Sequence, residues 1–457
     1  MKDKLIKSTF ILLVGGCITK ILGMLIKMVM GRMIGSEVLG LYMMILPTFS
    51  LFIGLSQFGL PTALAKLVAE EKRNNKKLFF SILPISLIIN LFLIAIIILI
   101  SPILSNNLLN NKNLYYGILA ISVVIPFISI SGICRSYFFG KERMFPHIIS
   151  NIVEDLVRLI IMIIFIPMFI KKSVSYLLCF LILINVISES VSILVLFLFL
   201  PKHIRFSRND FIPSKRYIRD SLSIGIPNTT GRLVGSIGYF LEPILLNNSL
   251  LKAGYSLSFI SREYGVLSGY VMPILLLPSF FTGSISQVLL PTISKEYSNK
   301  RYDSAKRKLL IGLSISILIG LFFTVFFLLI PDILLRIIYH TTEGVNYMRV
   351  LAPICLLQYI QSPLSSCLDG MGKSNIVMKA NIIGVFIRTT FLVIFSYLKI
   401  GLWGLIIAIS CNVIFITIYE AIKVIKLFKY HWFNCFFTEF THLLYNIFIG
   451  RDFKWKY

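Results

Sequence analysis

The chain has 457 residues, of which 57% are hydrophobic and 14% charged, and its mean hydropathy is +0.86. This composition excludes a soluble globular protein, because soluble domains do not repeat apolar stretches of about 20 residues. The net charge of +25 does not indicate nucleic-acid binding, since no RNA-binding motif accompanies it and membrane proteins concentrate Lys and Arg on their cytoplasmic loops.

The apolar runs predict an all-α polytopic membrane protein of about twelve transmembrane helices. In chain order, the predicted helices cover about 8–32, 40–64, 79–101, 113–134, 147–169, 174–200, 220–245, 263–290, 309–331, 346–369, 379–398 and 400–424. The tail, residues 426–457, mixes aromatic and polar side chains, so we predict a cytoplasmic or interfacial amphipathic segment there rather than a thirteenth span.

Lys and Arg are distributed unevenly over the polar connections. The N-terminus, every second loop and the tail together hold 31 of the 45, whereas the opposite set of loops holds 8. Positive charge collects on the cytoplasmic side of membrane proteins. The distribution therefore predicts that both termini of the membrane protein lie in the cytoplasm.

The two halves of the chain repeat each other. Residues 19–23 (TKILG) recur as residues 231–235 (GRLVG), which places Lys20 and Arg232 equivalently in predicted helices 1 and 7. Further pairs follow in order: Leu60-Pro61-Thr62 with Leu290-Pro291-Thr292, Gly140-Lys141 with Gly372-Lys373, and Asn151 and Arg158 with Asn381 and Arg388. The pattern predicts two six-helix bundles related by a parallel repeat, at residues 1–205 and 206–425.

Cations lie unusually deep in several of the predicted spans. Lys20 is twelve residues from either end of the first run, roughly 18 Å along a helix and too far for its ammonium to reach the interface. A charge at the bilayer centre costs about 2.5–3.5 kcal/mol. The further deep cations are Lys27, on the same helical face, and Arg158, Arg232 and Arg388. Together they indicate a polar cavity that binds an anion of the phosphate type.

Carboxylates at membrane depth leave two interpretations open. Glu154, Asp155, Glu189 and Glu242 are either coupling sites for a proton or sodium ion, or partners that neutralise the deep cations. Pairing is favoured for Arg158, because Glu154 lies four residues earlier on the same helix. The sequence shows no metal-ligand cluster, dinucleotide motif or nucleophile–base pattern, so neither a cofactor nor an enzyme activity is predicted.

Several segments resemble one transporter superfamily. They are residues 18–23 (ITKILG), 31–35 (GRMIG), 58–70 (FGLPTALAKLVAE), 135–140 (RSYFFG), 225–232 (GIPNTTGR) and 264–269 (YGVLSG). As a set they resemble the multidrug/oligosaccharidyl-lipid/polysaccharide (MOP) flippase superfamily and, within it, the polysaccharide biosynthesis branch of the stage V sporulation protein B type. The resemblance covers residues 1 to about 425.

The resemblance implies a flippase that moves an undecaprenyl-pyrophosphate-linked saccharide across the membrane by alternating access. The implied cargo is the lipid II peptidoglycan precursor, used in spore cortex synthesis, and the implied partners are membrane lipids and wall or cortex synthesis proteins. Lys20 resembles one of the first-helix cations of MurJ-type lipid II flippases, and Lys27 matches a second one only loosely. Members of this branch often carry two further C-terminal helices, which the tail here does not resemble.

Two other functions stay open. A MATE-type cation or drug antiporter has the same twelve-helix architecture, but it calls for a deep acidic residue in helix 1, where residues 8–32 contain Lys20 and Lys27 and no Asp or Glu. A membrane scaffold for wall-synthesis proteins would not need buried cations.

Overall fold

The computed structural model describes residues 2–70, 74–200 and 213–428, without the side chains of 2–13, 227, 228, 230–232 and 234. Every regular element in these ranges is helical. The predicted amphipathic tail lies outside the described residues from 429 onward.

Fifteen α-helices are described in these ranges. Those of the first half are α1 Lys2–Gln57, α2 Leu60–Ala69, α3 Asn75–Ile103, α4 Tyr115–Gly140, α5 Met144–Ile170 and α6 Val174–Leu198. Those of the second half are α7 Lys215–Lys252, α8 Leu257–Gly265, α9 Met272–Leu275, α10 Pro278–Ser298, α11 Tyr302–Leu329, α12 Pro331–Tyr339, α13 Val345–Gly370, α14 Ser374–Tyr397 and α15 Trp403–Leu427.

Seven of the described helices are long and apolar enough to cross a membrane, or eight if the bent segment from α8 to α10 counts as one span. Helices α5, α7 and α13 have 27, 38 and 26 residues and are also long enough for a span. Helix α5 carries three charged residues close together, Glu154, Asp155 and Arg158, and α7 and α13 are more polar. Together with the two parts of α1, these helices account for all twelve predicted segments within the described chain. The predicted all-α polytopic fold is confirmed.

Three predicted boundaries are wrong. The predicted gap between residues 32 and 40 is not a loop, because α1 runs through it with a break only at Gly35. The predicted second helix is interrupted at Phe58 and Gly59, whose φ angles are 45° and 62°. The predicted helix at 263–290 is a broken one, in which a π-helical turn at Val266–Val271 is followed by a bend of 51° before α10.

The break in α1 depends on a glycine. Gly35 has φ 73° and ψ 167°, a conformation that is nearly exclusive to glycine. We expect Gly35→Ala to lower the free energy of unfolding by about 1–3 kcal/mol, although a methyl group there would meet no neighbouring atom. Denaturant titration in bicelles measures this loss. Gly54→Ala, at a helical position of α1 that is equally open, is the control, and an equal loss there would contradict the prediction.

The first compact unit comprises the described residues up to Pro273, with Leu335–Gly344 and Thr389–Leu405. In it, α4 and α5 pack against α6, and α1 packs against α5. Hydroxyl groups join helices in the interior, as where Ser86 Oγ lies 2.7 Å from Ser129 Oγ. The guanidinium of Arg32 donates to the carbonyl oxygens of Ile337 and Ile338 at the end of α12, whose last carbonyls need donors.

The second compact unit comprises Ile274–Leu334, Val345–Arg388 and the described residues from Ile406 on. Its helices α10, α11 and α13 pack around an apolar core to which α15 contributes Val424. Members of this core include Leu289, Ile293, Leu309, Leu313, Leu364, Cys367 and Leu368. The division into six-helix bundles at residues 205 and 206 stays a prediction.

The helices of the two halves correspond closely in length. Helices α4 and α13 both have 26 residues, and α6 and α15 both have 25. Each of α4 and α13 ends in the same turn, a Schellman motif closed by a residue with positive φ, Glu142 (56°) or Gly372 (72°). The closing bonds run from Arg143 N to Phe138 O (3.0 Å) and from Lys373 N to Leu368 O (2.8 Å).

These turns correct the register of the repeat. They match Gly140 with Gly370, an offset of 230 residues, whereas the sequence comparison matched Gly140 with Gly372. In both units the matched glycine packs closely against a backbone carbonyl oxygen of a neighbouring helix. A methyl group on Gly140 would lie 2.6 Å from Ala65 O, and one on Gly370 would lie 2.8 Å from Leu290 O.

Candidate functional site

One face of α1 is open and carries two cations. Gly16, Lys20, Gly23 and Lys27 recur at intervals of four, three and four residues, which places them on a single helical face. No atom of the described residues lies within 4 Å of a methyl group built on Gly16 or Gly23, apart from the backbone of α1 itself. We call these four residues the open face of α1.

Neither lysine of the open face is paired with an acidic side chain in the part of the chain that the structure describes. Lys20 is exposed and Lys27 is half-buried, about 10 Å further along the helix. No carboxylate in the described chain lies within 4 Å of either ammonium group. The positive charges of Lys20 and Lys27 repel each other. Two unpaired positive charges on an open helix face make a site that favours a polyvalent anion.

The opposite side of this part of α1 is tightly packed. A methyl group on Gly15 would overlap the side chain of Ile148 on α5. Gly15 therefore lets α1 approach α5 closely, and this packing holds the open face away from α5. The local bond from the Thr19 hydroxyl to Gly16 O (3.1 Å) stays within α1 and leaves the lysines uninvolved.

A neutral polar pocket lies between the later part of α1 and α7. Its lining residues include Ser50, Gln57, Thr229 and Ser236, which bring three hydroxyl groups and one amide. Gly59 allows the close approach that forms it, since a methyl group there would overlap the Gly225 carbonyl oxygen of α7. Such a lining can exchange hydrogen bonds with the hydroxyl and amide groups of a sugar.

Arg232 belongs to α7, next to Leu233 of the pocket lining. Its side chain lies outside the described part of the chain. The predicted equivalence of Lys20 and Arg232 therefore stays a prediction.

A buried charge network joins α4, α5 and α6. Arg135 of α4 donates to Glu154 of α5, to Glu189 of α6 (Nη2–Oε2 2.9 Å) and to Ser192 Oγ (2.8 Å). The side chains of Arg135, Glu154 and Glu189 are 18%, 9% and 6% exposed. One guanidinium thus satisfies carboxylates from two other helices, which ties the three helices together.

Arg158 extends this network along α5. Its guanidinium lies 2.5 Å from Glu154 Oε1 and 3.4 Å from Asp155 Oδ1. The pairing that the sequence favoured for Arg158 is therefore present in the structure. Because its charge is engaged by two carboxylates, Arg158 is a weaker candidate for substrate contact than the open face of α1.

Arg135 is the member of the network that the sequence analysis missed. The helices predicted at 113–134 and 147–169 leave Arg135 in the connection between them, but α4 continues to Gly140. A signal was available, because the apolar run before it has the period of a helix and nothing in residues 135–140 breaks one.

The remaining predicted residues belong to other helices than α1. Glu242 is buried on α7 and accepts a bond from the Tyr264 hydroxyl (3.5 Å). Arg388 lies half-buried on α14 in the second unit and is engaged in further contacts there. In the described ranges, no three His, Cys, Asp or Glu side chains are placed to hold a metal ion.

Comparison with protein families identifies two matching families. The model of the polysaccharide biosynthesis protein family matches residues 5–297, and the MatE model matches residues 268–394. Among similar proteins, stage V sporulation protein B of Bacillus subtilis (strain 168) is 32% identical and covers 93% of this chain and 84% of its own length. Lipid II flippase MurJ of the same organism is 21% identical, with coverages of 85% and 76%.

Solved structures with the same fold are MOP-superfamily transporters. An inward-facing multidrug resistance MATE family transporter has a TM-score of 0.68 and 17% identity, covering 93% of this chain and 95% of its own. A MOP transporter from Pyrococcus furiosus Vc1 (DSM3638), reported to have a binding pocket of reverse polarity, has a TM-score of 0.57 and 16% identity, with coverages of 94% and 97%. At these identities the likeness shows the fold alone.

Proposed function

The chain belongs to the polysaccharide biosynthesis protein family, and from that premise we propose that it is a flippase for a saccharide linked to undecaprenyl pyrophosphate. The observation that carries the proposal is the open face of α1, where Lys20 and Lys27 have no acidic neighbour in the described chain. A pyrophosphate is a polyvalent anion, and its passage through a membrane requires compensating positive charge.

The charge at the open face suits the lipid-linked diphosphate. Lys20 and Lys27 act as point charges for the pyrophosphate, and we infer from the repeat that Arg232 supplies a guanidinium to the same anion. The neutral pocket lined by Ser50, Gln57 and Thr229 supports the saccharide part of the proposal, because its hydroxyl and amide groups match those of a glycan.

The finer proposal is a cargo of lipid II in spore cortex synthesis. Its support is the similarity to a stage V sporulation protein and, more weakly, to a lipid II flippase. We further propose that the chain works by alternating access, with both termini in the cytoplasm and wall or cortex synthesis proteins as partners. The proposed orientation follows from the distribution of Lys and Arg over the loops.

The second candidate is a MATE-type cation or drug antiporter. The match of the MatE model to residues 268–394 favours it. The open face of α1 argues against it, because two unpaired lysines would repel a cationic substrate.

The test is transbilayer movement of a fluorescent lipid II analogue in proteoliposomes. We expect Lys20→Ala and Arg232→Ala each to slow movement by about tenfold or more, since one charge-assisted contact contributes about 1.5–3 kcal/mol. Lys171→Ala is the control. Lys171 is exposed at the end of α5, so its replacement should leave lipid movement unchanged.

Each alternative outcome has a clear meaning. Native rates in both Lys20→Ala and Arg232→Ala, at equal protein levels, would refute the proposed role of the cations. A native protein that exports a cationic dye and moves no lipid would establish the antiporter. A native protein that neither moves the lipid nor exports the dye would favour a membrane scaffold for wall-synthesis proteins.

A further inference from the structure

The most deeply buried carboxyl group among the described residues is that of Glu420, in the second unit of the chain. It belongs to α15 and has 0% exposure. Thr417 and Val424, three residues before it and four after it, both contact α13 or the core beside it. Glu420 therefore points into the packed boundary between α13 and α15, about two turns before α15 ends at Leu427.

Its polar partner is one serine hydroxyl. Ser365 Oγ of α13 lies 3.0 Å from one carboxyl oxygen of Glu420 and 2.8 Å from the other. A single hydroxyl hydrogen cannot satisfy two ionised oxygens. A neutral carboxyl group fits this geometry, because its own O–H can donate to Ser365 Oγ while the serine hydroxyl donates to the remaining carboxyl oxygen.

No cation compensates Glu420 in the part of the chain that the structure describes, since none lies within 4 Å of it. Lys423, on the same helix, lies 5.2 Å from the ring centroid of Tyr419. On α14, Lys379 is exposed, and Lys308 of α11 is paired with Glu296 (Nζ–Oε1 2.7 Å). Asp369, one turn after Ser365 on α13, adds negative charge, and Cys367 beside it is part of the apolar core.

In the first half, the carboxyl group at the position equivalent to Glu420 is paired with a cation. At the offset of 230 residues set by the ends of α4 and α13, Ser365 matches Arg135. Glu189 is the sixteenth residue of α6 and Glu420 the eighteenth of α15, so both carboxyl groups lie at nearly the same level of matched helices. Where Arg135 neutralises Glu189, the described part of the second half places the hydroxyl group of Ser365 and no cation within 4 Å.

A buried carboxylate without a cation is strongly disfavoured, and such a group takes up a proton instead. We propose that Glu420 and Ser365 form a proton-binding site in the second unit. The site holds its proton while α13 and α15 stay packed, and separation of these helices at Ser365 would expose the carboxyl group and release the proton to water. The site is distinct from the open face of α1, and its existence does not depend on the cargo.

The test is infrared difference spectroscopy of the full-length protein in lipid nanodiscs near neutral pH. We expect the carbonyl band of a neutral carboxylic acid, shifted by D2O, to be present in the native protein and lost in Glu420→Gln. Glu296→Gln is the matched control, because Glu296 is paired with Lys308 and should contribute no such band. Should Glu420→Gln not fold, Ser365→Ala serves instead, since loss of the hydroxyl should move the band without removing it.

Three results would overturn the proposal. Identical carboxylic-acid bands in the native protein and Glu420→Gln would mean that Glu420 is ionised. A band that Ser365→Ala leaves unmoved would mean that the protonated group is not bonded to Ser365. Loss of the band on adding sodium chloride, but not choline chloride, at constant pH would identify a sodium site instead. Both readouts are independent of lipid movement, so a failed flipping assay would not affect them.

Discussion

Replacing Arg135 by alanine is expected to lower the free energy of unfolding by about 3–5 kcal/mol, the range for a buried ion pair that loses one partner. Arg135 donates to both Glu154 and Glu189, and its removal would leave Glu189 with no cation within 4 Å in the described chain. Arg158 would still neutralise Glu154. Denaturant titration of the protein in bicelles measures the loss.

The control for Arg135 is an ion pair of equal length at the surface. Arg262 pairs with Glu343, but its side chain is 57% exposed, so Arg262→Ala should cost less than about 1 kcal/mol. A similar loss in both variants would contradict the assignment of the network as a buried tie between three helices. The double replacement Arg135→Met with Glu189→Leu should recover part of the loss, because it removes the uncompensated charge.

Replacing Gly40 by alanine is expected to destabilise the first unit by about 3 kcal/mol, the upper end for overpacking a close contact. A methyl group on Gly40 would overlap the carbonyl oxygen of Ser261 on α8, and one on Gly265 would overlap the carbonyl oxygen of Ser36. The two helices therefore touch backbone to backbone, as small residues permit between membrane helices. Thermal unfolding in detergent, followed by circular dichroism, provides the measurement.

A glycine in open space is the control for Gly40. Nothing lies within 4 Å of a methyl group on Gly283, so Gly283→Ala should be neutral or stabilise by about 0.5–1 kcal/mol. Because Gly40 and Gly265 form one contact, the double alanine variant should lose less than the sum of the single losses. Additive losses would show that the two glycines act independently.

The spans could be predicted from the sequence because hydropathy over about 20 residues is a local property. A break between the first two spans could likewise be predicted within residues 33–39, but not at Gly35 in particular, since glycine is common inside membrane helices and only the backbone angles distinguish this one. The pair of Glu154 and Arg158 was predictable from spacing on one helix. The contact of Arg135 with Glu189 was not, because the two lie 54 residues apart in the chain and meet only after folding.

Only part of the open face of α1 could be predicted from the sequence. The depth and spacing of Lys20 and Lys27 follow from the sequence, and the open space beside Gly16 and Gly23 does not. Glu420 was within a predicted span, yet its nearness to Lys423 and to the end of that span disguised its burial. Its complete burial and the placement of Ser365 against both of its oxygens distinguish it from an interfacial carboxylate.

The register error at Gly372 has a simple origin. The segment at residues 370–374 (GMGKS) offers two glycines, and the one that precedes lysine gives the better match of letters to Gly140-Lys141. The backbone pairs Gly140 with the other glycine, since both lie under a carbonyl oxygen of a neighbouring helix. The sequence match therefore paired Gly140 with Gly372 because both precede a lysine. The structure pairs Gly140 with Gly370 because both occupy the same position at the end of a helix.

The turns closed by Glu142 and Gly372 have an evolutionary consequence. A left-handed backbone costs a non-glycine residue about 1–2 kcal/mol, and one turn bears that cost while the other does not. If the two halves descend from one ancestral unit, selection has preserved the path of the chain at this corner while the residues that build it diverged. In such a protein, the backbone hydrogen bonds of equivalent turns still show the common origin of the two halves after their sequences have diverged.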